Sequence, residues 1–226
     1  MDRRMSTFDK KTPGGEVPIH DQAQDTETLL LERLKNSQSE SDYFRWLLFV
    51  VGFYRGIQKV EAATALLRRF IETSNSDEQK AYCHLTLGQI ETDEQHFEAA
   101  LEHFKTALGL NPKQKKIVYV LHNNAAYCLN MLHCYDEAEQ HCRSAIEVNW
   151  TRASGYRNLG VSLKGQAKIV EAVWALVEAA KLDVSDERAR LLLRNLIEEN
   201  PAVVVQCPWA VEGLAPNTIS ENTLRN

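Results

Sequence analysis

The side chains best suited to chemistry crowd into one stretch of the chain. They are His122, Cys128, His133, Cys134, His141 and Cys142. Imidazole nitrogens and thiolates are the ligands that zinc prefers, and a structural zinc site needs four of them at tetrahedral positions. Here they would have to converge from two predicted helices and a turn. We favour the simpler interpretation, in which the buried cysteines act as small apolar side chains, and we predict neither a metal nor a cofactor.

No familiar catalytic motif offers an alternative chemistry. The sequence has no phosphate-binding Gly-rich loop, no CxxC pair and no GxSxG nucleophile motif. His133 and Cys134 do not form a plausible catalytic pair, because adjacent side chains rarely point the same way. We predict that the chain is not an enzyme. A metal- or cofactor-binding enzyme that uses the His/Cys cluster is kept as the alternative hypothesis.

Composition limits the classes of partner and compartment. The 226 residues are 44% hydrophobic and 25% charged, with a formal charge of −5, which argues against a non-specific nucleic-acid binder. The five cysteines are odd in number, and the N-terminal residues lack an apolar signal region, so we expect a cytoplasmic protein. The longest apolar run, Trp46 to Tyr54, is far shorter than the roughly 20 residues that span a bilayer. We therefore expect no membrane insertion.

The elements that must position any site are helices. Between Ala81 and Pro112, apolar residues recur at steps of three and four on both sides of the polar stretch ETDEQH. This pattern predicts two amphipathic helices joined by a tight turn, with Pro112 ending the second. A pair this short cannot bury its apolar face alone, so it must stack on copies of itself.

Three further copies of this unit are recognisable. Equivalent starts fall at Tyr43, Ala81, Tyr119 and Ala153, which are 38, 38 and 34 residues apart. The insertion of four residues adds about one helical turn and keeps the apolar face in register. We predict repeats at about 43–76, 81–114, 119–152 and 153–185, each with a first helix (helix A) and a second helix (helix B).

The residue pattern of these copies resembles that of the tetratricopeptide repeat (TPR) family. The second copy has Leu87-Gly88 in helix A, the series Ala100, Phe104 and Ala107 in helix B, and Pro112 after it. The fourth copy repeats this with Leu159-Gly160, Ala172, Leu176 and Ala179. The third departs from the pattern at Ala126 and Trp150, and the first at Val50 and Arg69. The resemblance implies an all-α fold, a right-handed superhelical stack of about four antiparallel helix pairs.

The flanking segments have different compositions. Residues 186–200 carry an apolar stripe and a charged stripe, which predicts a capping helix over the last repeat. The repeats and this cap make a TPR domain of residues 41–200. We expect residues 1–40 to be largely disordered, with a possible short helix at 26–35, and residues 201–226 to form a tail. Residues 203–205 and Trp209 of this tail could bind the body or the partner, and we favour packing against the body.

The TPR resemblance implies that helix A side chains line a concave groove for a peptide or helix of another protein. We expect this groove to contain Phe44, Tyr54, Tyr82, Leu85, Gln89, Asn123, Asn124, Tyr127, Asn130, Arg157, Asn158, Val161 and Lys164. For each residue the alternative is a merely structural or solvated position. Aromatic rings would supply contact area, and amides would bind a peptide backbone.

Some TPR domains hold a partner's C-terminal carboxylate with lysine, asparagine and arginine side chains. Of the positions that such a clamp needs, only Asn124 matches, while Leu85, Gln89, Ser154 and Asn158 depart from the pattern. Without the cations the clamp lacks its charge-assisted hydrogen bonds. We therefore predict a cytoplasmic protein-interaction adaptor that does not use this clamp. A dedicated chaperone or co-chaperone for a secreted or assembling client is the alternative, and a homo-oligomer is possible.

Overall fold

The computed structural model describes residues 19–214, and the regular secondary structure within that range is helical. Expectations for residues 1–18 and 215–226 lie outside it. The helices are α1 (Ile19–Lys35), α2 (Glu40–Gly56), α3 (Val60–Thr73), α4 (Asp77–Asp93), α5 (Phe97–Gly109), α6 (Lys115–Met131), α7 (Tyr135–Val148), α8 (Ala153–Gly165), α9 (Ile169–Leu182), α10 (Glu187–Glu199) and α11 (Ala202–Gln206), followed by a 3₁₀ turn at Pro208–Gly213. None of the helices in the described range is long and apolar enough to cross a membrane.

The described residues form two compact units, divided between Ala63 and Thr64. In the first unit α1 packs on α2. The Tyr54 hydroxyl donates to the Glu27 carboxylate at 3.0 Å, and Lys59 Nζ donates to it at 2.6 Å. These two hydrogen bonds lower the pKa of Glu27. Helix α1 therefore begins well before the short helix expected at 26–35, and it is tied to the residues around α2.

The same turn ends helix A in each of four copies. Gln58, Gln95, His133 and Ala167 all have φ between 59° and 63°. In each case the next residue donates its N–H to the carbonyl five residues before it, at 2.8–2.9 Å. This is the Schellman motif, here built with a residue other than glycine in the left-handed position. The recurrence of this turn marks four structural repeats, and the turns lie 37, 38 and 34 residues apart, against predicted spacings of 38, 38 and 34.

In the second unit α4/α5, α6/α7 and α8/α9 are packed pairs, and each pair also packs on the next. Size complementarity controls how closely each pair approaches. A Cβ atom on Gly88 would lie 2.4 Å from the Phe104 ring, and one on Gly160 would lie 2.6 Å from Leu176. The third copy has Ala126 and Cys142 at the equivalent positions, both fully buried. The extra methyl group of the alanine thus faces a smaller residue, which explains why this copy tolerates the loss of glycine.

Helix α10 covers the last pair and is held by two ion pairs. Ala189, Leu193 and Leu196 are fully buried on its inner face. At its start, the Asp186 carboxylate pairs with Arg157 of α8 and also accepts the N–H groups of Arg188 and Ala189 at 3.1 and 3.3 Å. At its end, Lys164 of α8 pairs with Glu199 at 2.7 Å.

The segment expected as a tail from residue 201 folds, in its first part, onto the body. Val203, Cys207 and Ala210 are buried in the same core cluster as Leu176 and Leu193. They come from α11, from the residue that follows it and from the 3₁₀ turn, so the whole segment from 203 to 210 packs on the body. The prolines of this segment suggested an irregular tail, but Pro208 begins the 3₁₀ turn, where its missing N–H costs nothing.

Glycine-to-alanine substitutions should have opposite effects at Gly88 and Gly52. Gly88→Ala forces the Phe104 ring to move and should lower the free energy of unfolding by about 1–3 kcal/mol. Gly52 lies on the exposed side of α2 with nothing within 4 Å of its Cβ position, so Gly52→Ala should raise it by about 0.5–1 kcal/mol. Urea denaturation followed by circular dichroism measures both. A stabilising Gly88→Ala would contradict the close approach of α4 and α5.

The two cations of α8 should contribute unequally to stability. The Arg157 and Asp186 side chains are 17% and 6% exposed, whereas those of Lys164 and Glu199 are 37% and 55% exposed. Arg157→Ala leaves a buried carboxylate without its partner and should cost ~3–5 kcal/mol. Lys164→Ala, its matched control, should cost less than about 1 kcal/mol. Equal costs in denaturation experiments would show that the Arg157–Asp186 pair is not buried as described.

Candidate functional site

A groove of about 570 Å³ opens between α6, α8 and α10. Its lining residues are Asn123, Asn124, Tyr127, Asn130, Met131, Arg157, Asn158, Val161, Arg188, Leu191 and Leu192. Seven of these are among the residues predicted to line a peptide-binding groove. They come from the helices A of the third and fourth repeats.

The groove also contains residues that the sequence did not indicate. Met131 ends α6, and Arg188, Leu191 and Leu192 belong to α10. Leu191 is 51% exposed although α10 already buries Leu193 and Leu196. A leucine stripe wider than one buried face was the available signal, but α10 was interpreted only as a cap.

Several predicted groove residues lie elsewhere. Leu85 is buried in the core with Phe104, and Tyr54 is buried in the first unit with its hydroxyl bound to Glu27, so neither is available as expected. Lys164 is engaged with Glu199. The remaining three, Phe44, Tyr82 and Gln89, are half-buried and do not line this groove.

The floor of the groove is a buried amide network. Asn158 Nδ2 donates to the Asn123 carbonyl and Oδ1 at 3.1 and 3.2 Å, and Asn130 Nδ2 donates to the Asn158 carbonyl at 3.0 Å. Ser162 Oγ donates to Asn130 Oδ1 at 2.9 Å. Asn130 and Asn158 are each 7% exposed. Their amides therefore join α6 to α8, a structural role in place of the predicted ligand contact.

Asn124 has a different position from these two structural asparagines. It is half-buried in the groove wall, and its Oδ1 accepts from Asn123 Nδ2 at 3.3 Å. Its own Nδ2 group makes no hydrogen bond within the described part of the chain. This leaves an amide donor that a ligand carbonyl can use.

The walls of the groove expose large apolar groups. Tyr127, Met131 and Leu191 are 41%, 46% and 51% exposed. The Tyr127 ring packs edge-on against Phe97 with centroids 6.1 Å apart, which restricts its motion. A restrained aromatic ring offers contact area at low entropic cost, as in many protein-binding surfaces.

The His/Cys cluster does not come together as a metal site. Cys128 and Cys142 are buried beside Thr92 and Ser162, and His133 bonds to Tyr135. Burial raises the pKa of Cys142 to about 12. Among the described residues, no group of three or more His, Cys, Asp or Glu side chains is placed to hold a metal ion.

Two histidine pairs instead form, one in the second repeat and one in the third, and each joins helix A to helix B of its own repeat. His122 Nδ1 of α6 lies 2.9 Å from His141 Nδ1 of α7, and His84 and His103 repeat this arrangement at 3.2 Å between α4 and α5. The ring centroids of the first pair are 5.1 Å apart, close to the nitrogen distance plus the two ring radii. The nitrogens therefore face each other in line. This arrangement suits one proton shared between the two nitrogens. A bound metal ion would instead need both nitrogen lone pairs to point at a single position off the line that joins the nitrogens.

The pairs should make stability fall in acid. Burial and the neighbouring imidazole lower the pKa of His122 from 6.5 to about 4. Burial also lowers the pKa of His141, where the nearby Glu137 raises it and the nearby Lys105 lowers it further. At pH values between 6.5 and about 4, His122 binds a proton in the unfolded chain but not in the folded chain. The free energy of unfolding therefore decreases as the pH falls from 6.5 toward 4.

The double variant His122→Leu/His141→Leu should lose less stability than the wild type between pH 7.5 and 5.0. Urea midpoints at the two pH values measure this loss. His96→Gln, at an exposed histidine outside the pairs, serves as the control and should behave as the wild type. An unchanged loss in the double variant would contradict the assignment of neutral, proton-sharing pairs.

No family model matches the sequence. A TPR repeat-containing protein of Arabidopsis thaliana is 30% identical over 136 residues, which are 57% of this chain and 16% of that protein. The chain thus spans only a small part of this curated relative. Among solved structures, BtubC of P. vanneervenii superposes with a TM-score of 0.67 at 14% identity, covering 88% of this chain and 87% of that one.

The structure of YrrB, described as a TPR protein with an unusual peptide-binding site, superposes with a TM-score of 0.58 at 16% identity. It covers 85% of this chain and 93% of that chain. At such identities the likeness concerns the fold. Together with the repeated turns and the glycine-mediated helix contacts, these comparisons confirm the predicted resemblance: this chain has the helical-repeat fold of the tetratricopeptide repeat proteins.

Proposed function

We propose that the chain is a non-enzymatic interaction module that binds a segment of a partner protein in the groove between α6, α8 and α10. The observation that carries this proposal is the exposure of three large apolar side chains, Tyr127, Met131 and Leu191, in one concave site. Exposed apolar groups gathered in a groove are typical of interaction sites.

The chemistry of the lining fits a polypeptide. Apolar walls accept side chains, and the free amide donor of Asn124 can bind a backbone carbonyl. The Nδ2 groups of the floor asparagines donate within the protein, from Asn130 to α8 and from Asn158 to α6, and they keep the groove in shape before a ligand arrives. Pre-organisation of this kind lowers the entropic cost of binding. The peptide-binding site of YrrB, which shares the fold, supports the proposal by analogy.

The carboxylate clamp of other TPR domains remains outside this proposal. Leu85 stands where the clamp needs its first lysine, and it is buried in the core. Asn158 stands where the clamp needs a cation, and its amide is committed to Asn123. A dedicated chaperone would use the same groove for an unfolded client, but no contact among residues 19–214 favours that alternative.

The state of the cysteines supports a proposal for the compartment. All five are free, and four of them are buried inside the helical stack. Free thiols in this number suit a reducing environment. We therefore propose an adaptor that works in the cytoplasm.

Selection of peptides by the wild-type protein from a bead-displayed library of random decapeptides tests the groove. Synthetic fluorescein-labelled copies of the enriched peptides should bind at least about tenfold more weakly to Tyr127→Ala and Leu191→Glu, a change of about 1.4 kcal/mol. Fluorescence polarisation measures the affinities, and circular dichroism checks that both variants fold.

Trp150→Ala provides the matched control, because Trp150 is 67% exposed and lies on the turn after α7, outside the groove. It should bind the enriched peptides as the wild type does. The groove proposal fails if no peptide is enriched, or if the two groove variants bind as tightly as Trp150→Ala.

A further inference from the structure

The charges of the groove indicate which kind of segment it binds, provided that it binds one as proposed above. Arg157 and Arg188 are among its eleven lining residues, and no aspartate or glutamate is. The whole chain, in contrast, has a formal charge of −5. The groove is thus a basic site on an acidic protein, which favours an acidic ligand.

The two arginines do not share this role equally. Arg157 is only 17% exposed and is engaged with Asp186. The Asp186 carboxylate is fully occupied, because its other oxygen accepts two backbone N–H groups at the start of α10. Arg157 therefore positions α10, and its charge is already compensated.

Arg188 is the cation that remains for a ligand. Its side chain is 80% exposed, and its contact with Asp186 is long, at 3.9 Å. The neighbouring Glu187 carboxylate pairs with Arg190. A guanidinium group that is exposed and only weakly paired can form a bidentate pair with the carboxylate of a ligand.

Apolar contacts lie one helical turn from this cation. Leu191 and Leu192 follow Arg188 at three and four residues on α10, so their Cβ atoms are roughly 5–6 Å from that of Arg188. In an extended peptide, side chains on the same side are two residues apart, or about 6.5–7 Å. If an apolar side chain of the peptide contacts Leu191, the peptide residue two positions away therefore lies beside Arg188.

We infer that the partner segment carries an aspartate or glutamate two residues from a large apolar residue. Its carboxylate pairs with Arg188, and its apolar side chain packs between Tyr127 and Leu191. The cation that selects the ligand belongs to the capping helix, whereas the clamp of other TPR domains takes its cations from the repeats.

The peptide library described above also tests this inference. Peptides enriched by the wild type should contain the apolar-x-acidic pattern, and a synthetic peptide in which glutamine replaces the glutamate should bind about tenfold more weakly. Arg188→Glu should reverse the preference and enrich lysine or arginine at that position. The substitution is compatible with folding, because the side chain is exposed and acidic residues suit the first turn of a helix.

Arg194→Glu is the matched control, since it makes the same charge change at an exposed position of α10 outside the groove. It should keep the acidic preference. The inference is overturned, and the groove proposal kept, if enriched peptides depend on Tyr127 and Leu191 but show no acidic preference, or if Arg188→Glu leaves that preference unchanged. Both are overturned if no peptide is enriched, or if enriched peptides bind without regard to Tyr127 and Leu191.

Discussion

The groove depends on the buried ion pair between Arg157 of α8 and Asp186, the N-cap residue of α10. A carboxylate that is 6% exposed loses most of its hydration, and it is tolerated only when its oxygens are paired and hydrogen-bonded. Here one oxygen meets the guanidinium and the other caps the helix. The direction of α10 is therefore fixed relative to α8, and this brings Arg188 and Leu191 to the open side of the last repeat.

The rest of the site follows from how the repeats approach one another. Gly160 lets Leu176 come close on the inner side of α8. On the other side, Asn158 and Asn130, which are each 7% exposed, link α8 to α6 by hydrogen bonds. These bonds engage the Nδ2 groups of both asparagines, keep the groove open and leave Asn124 and Tyr127 on its wall.

Much of this could be predicted from the sequence, because periodicity decides which helices form and how they stack. The third and fourth helices A were expected to supply Asn124, Tyr127 and Val161 to one surface, and these three side chains line the same groove. In the first two copies the same projection selected Tyr54 and Leu85, which are buried. Successive residues are rotated by about 100° around a helix, so a small error in the assumed face exchanges a lining residue for a core residue.

The roles of charged residues could not be predicted in this way. Arg157 and Lys164 were expected to meet a ligand, yet their partners Asp186 and Glu199 lie 29 and 35 residues further along the chain. Such pairs depend on the docking angle of α10, about which no local pattern carries information. Arg188 and Leu191 were not predicted as groove residues for the same reason, since α10 was expected only to cap the stack.

A crystal structure of the chain with a peptide enriched by the wild type would test the central claim most directly. The account predicts that the peptide lies between α6 and α10, with its carboxylate paired with Arg188 and its apolar side chain against Tyr127. A peptide bound elsewhere, for example in the pocket beside Trp46 in the first unit, with the α6–α8–α10 groove empty, would contradict it.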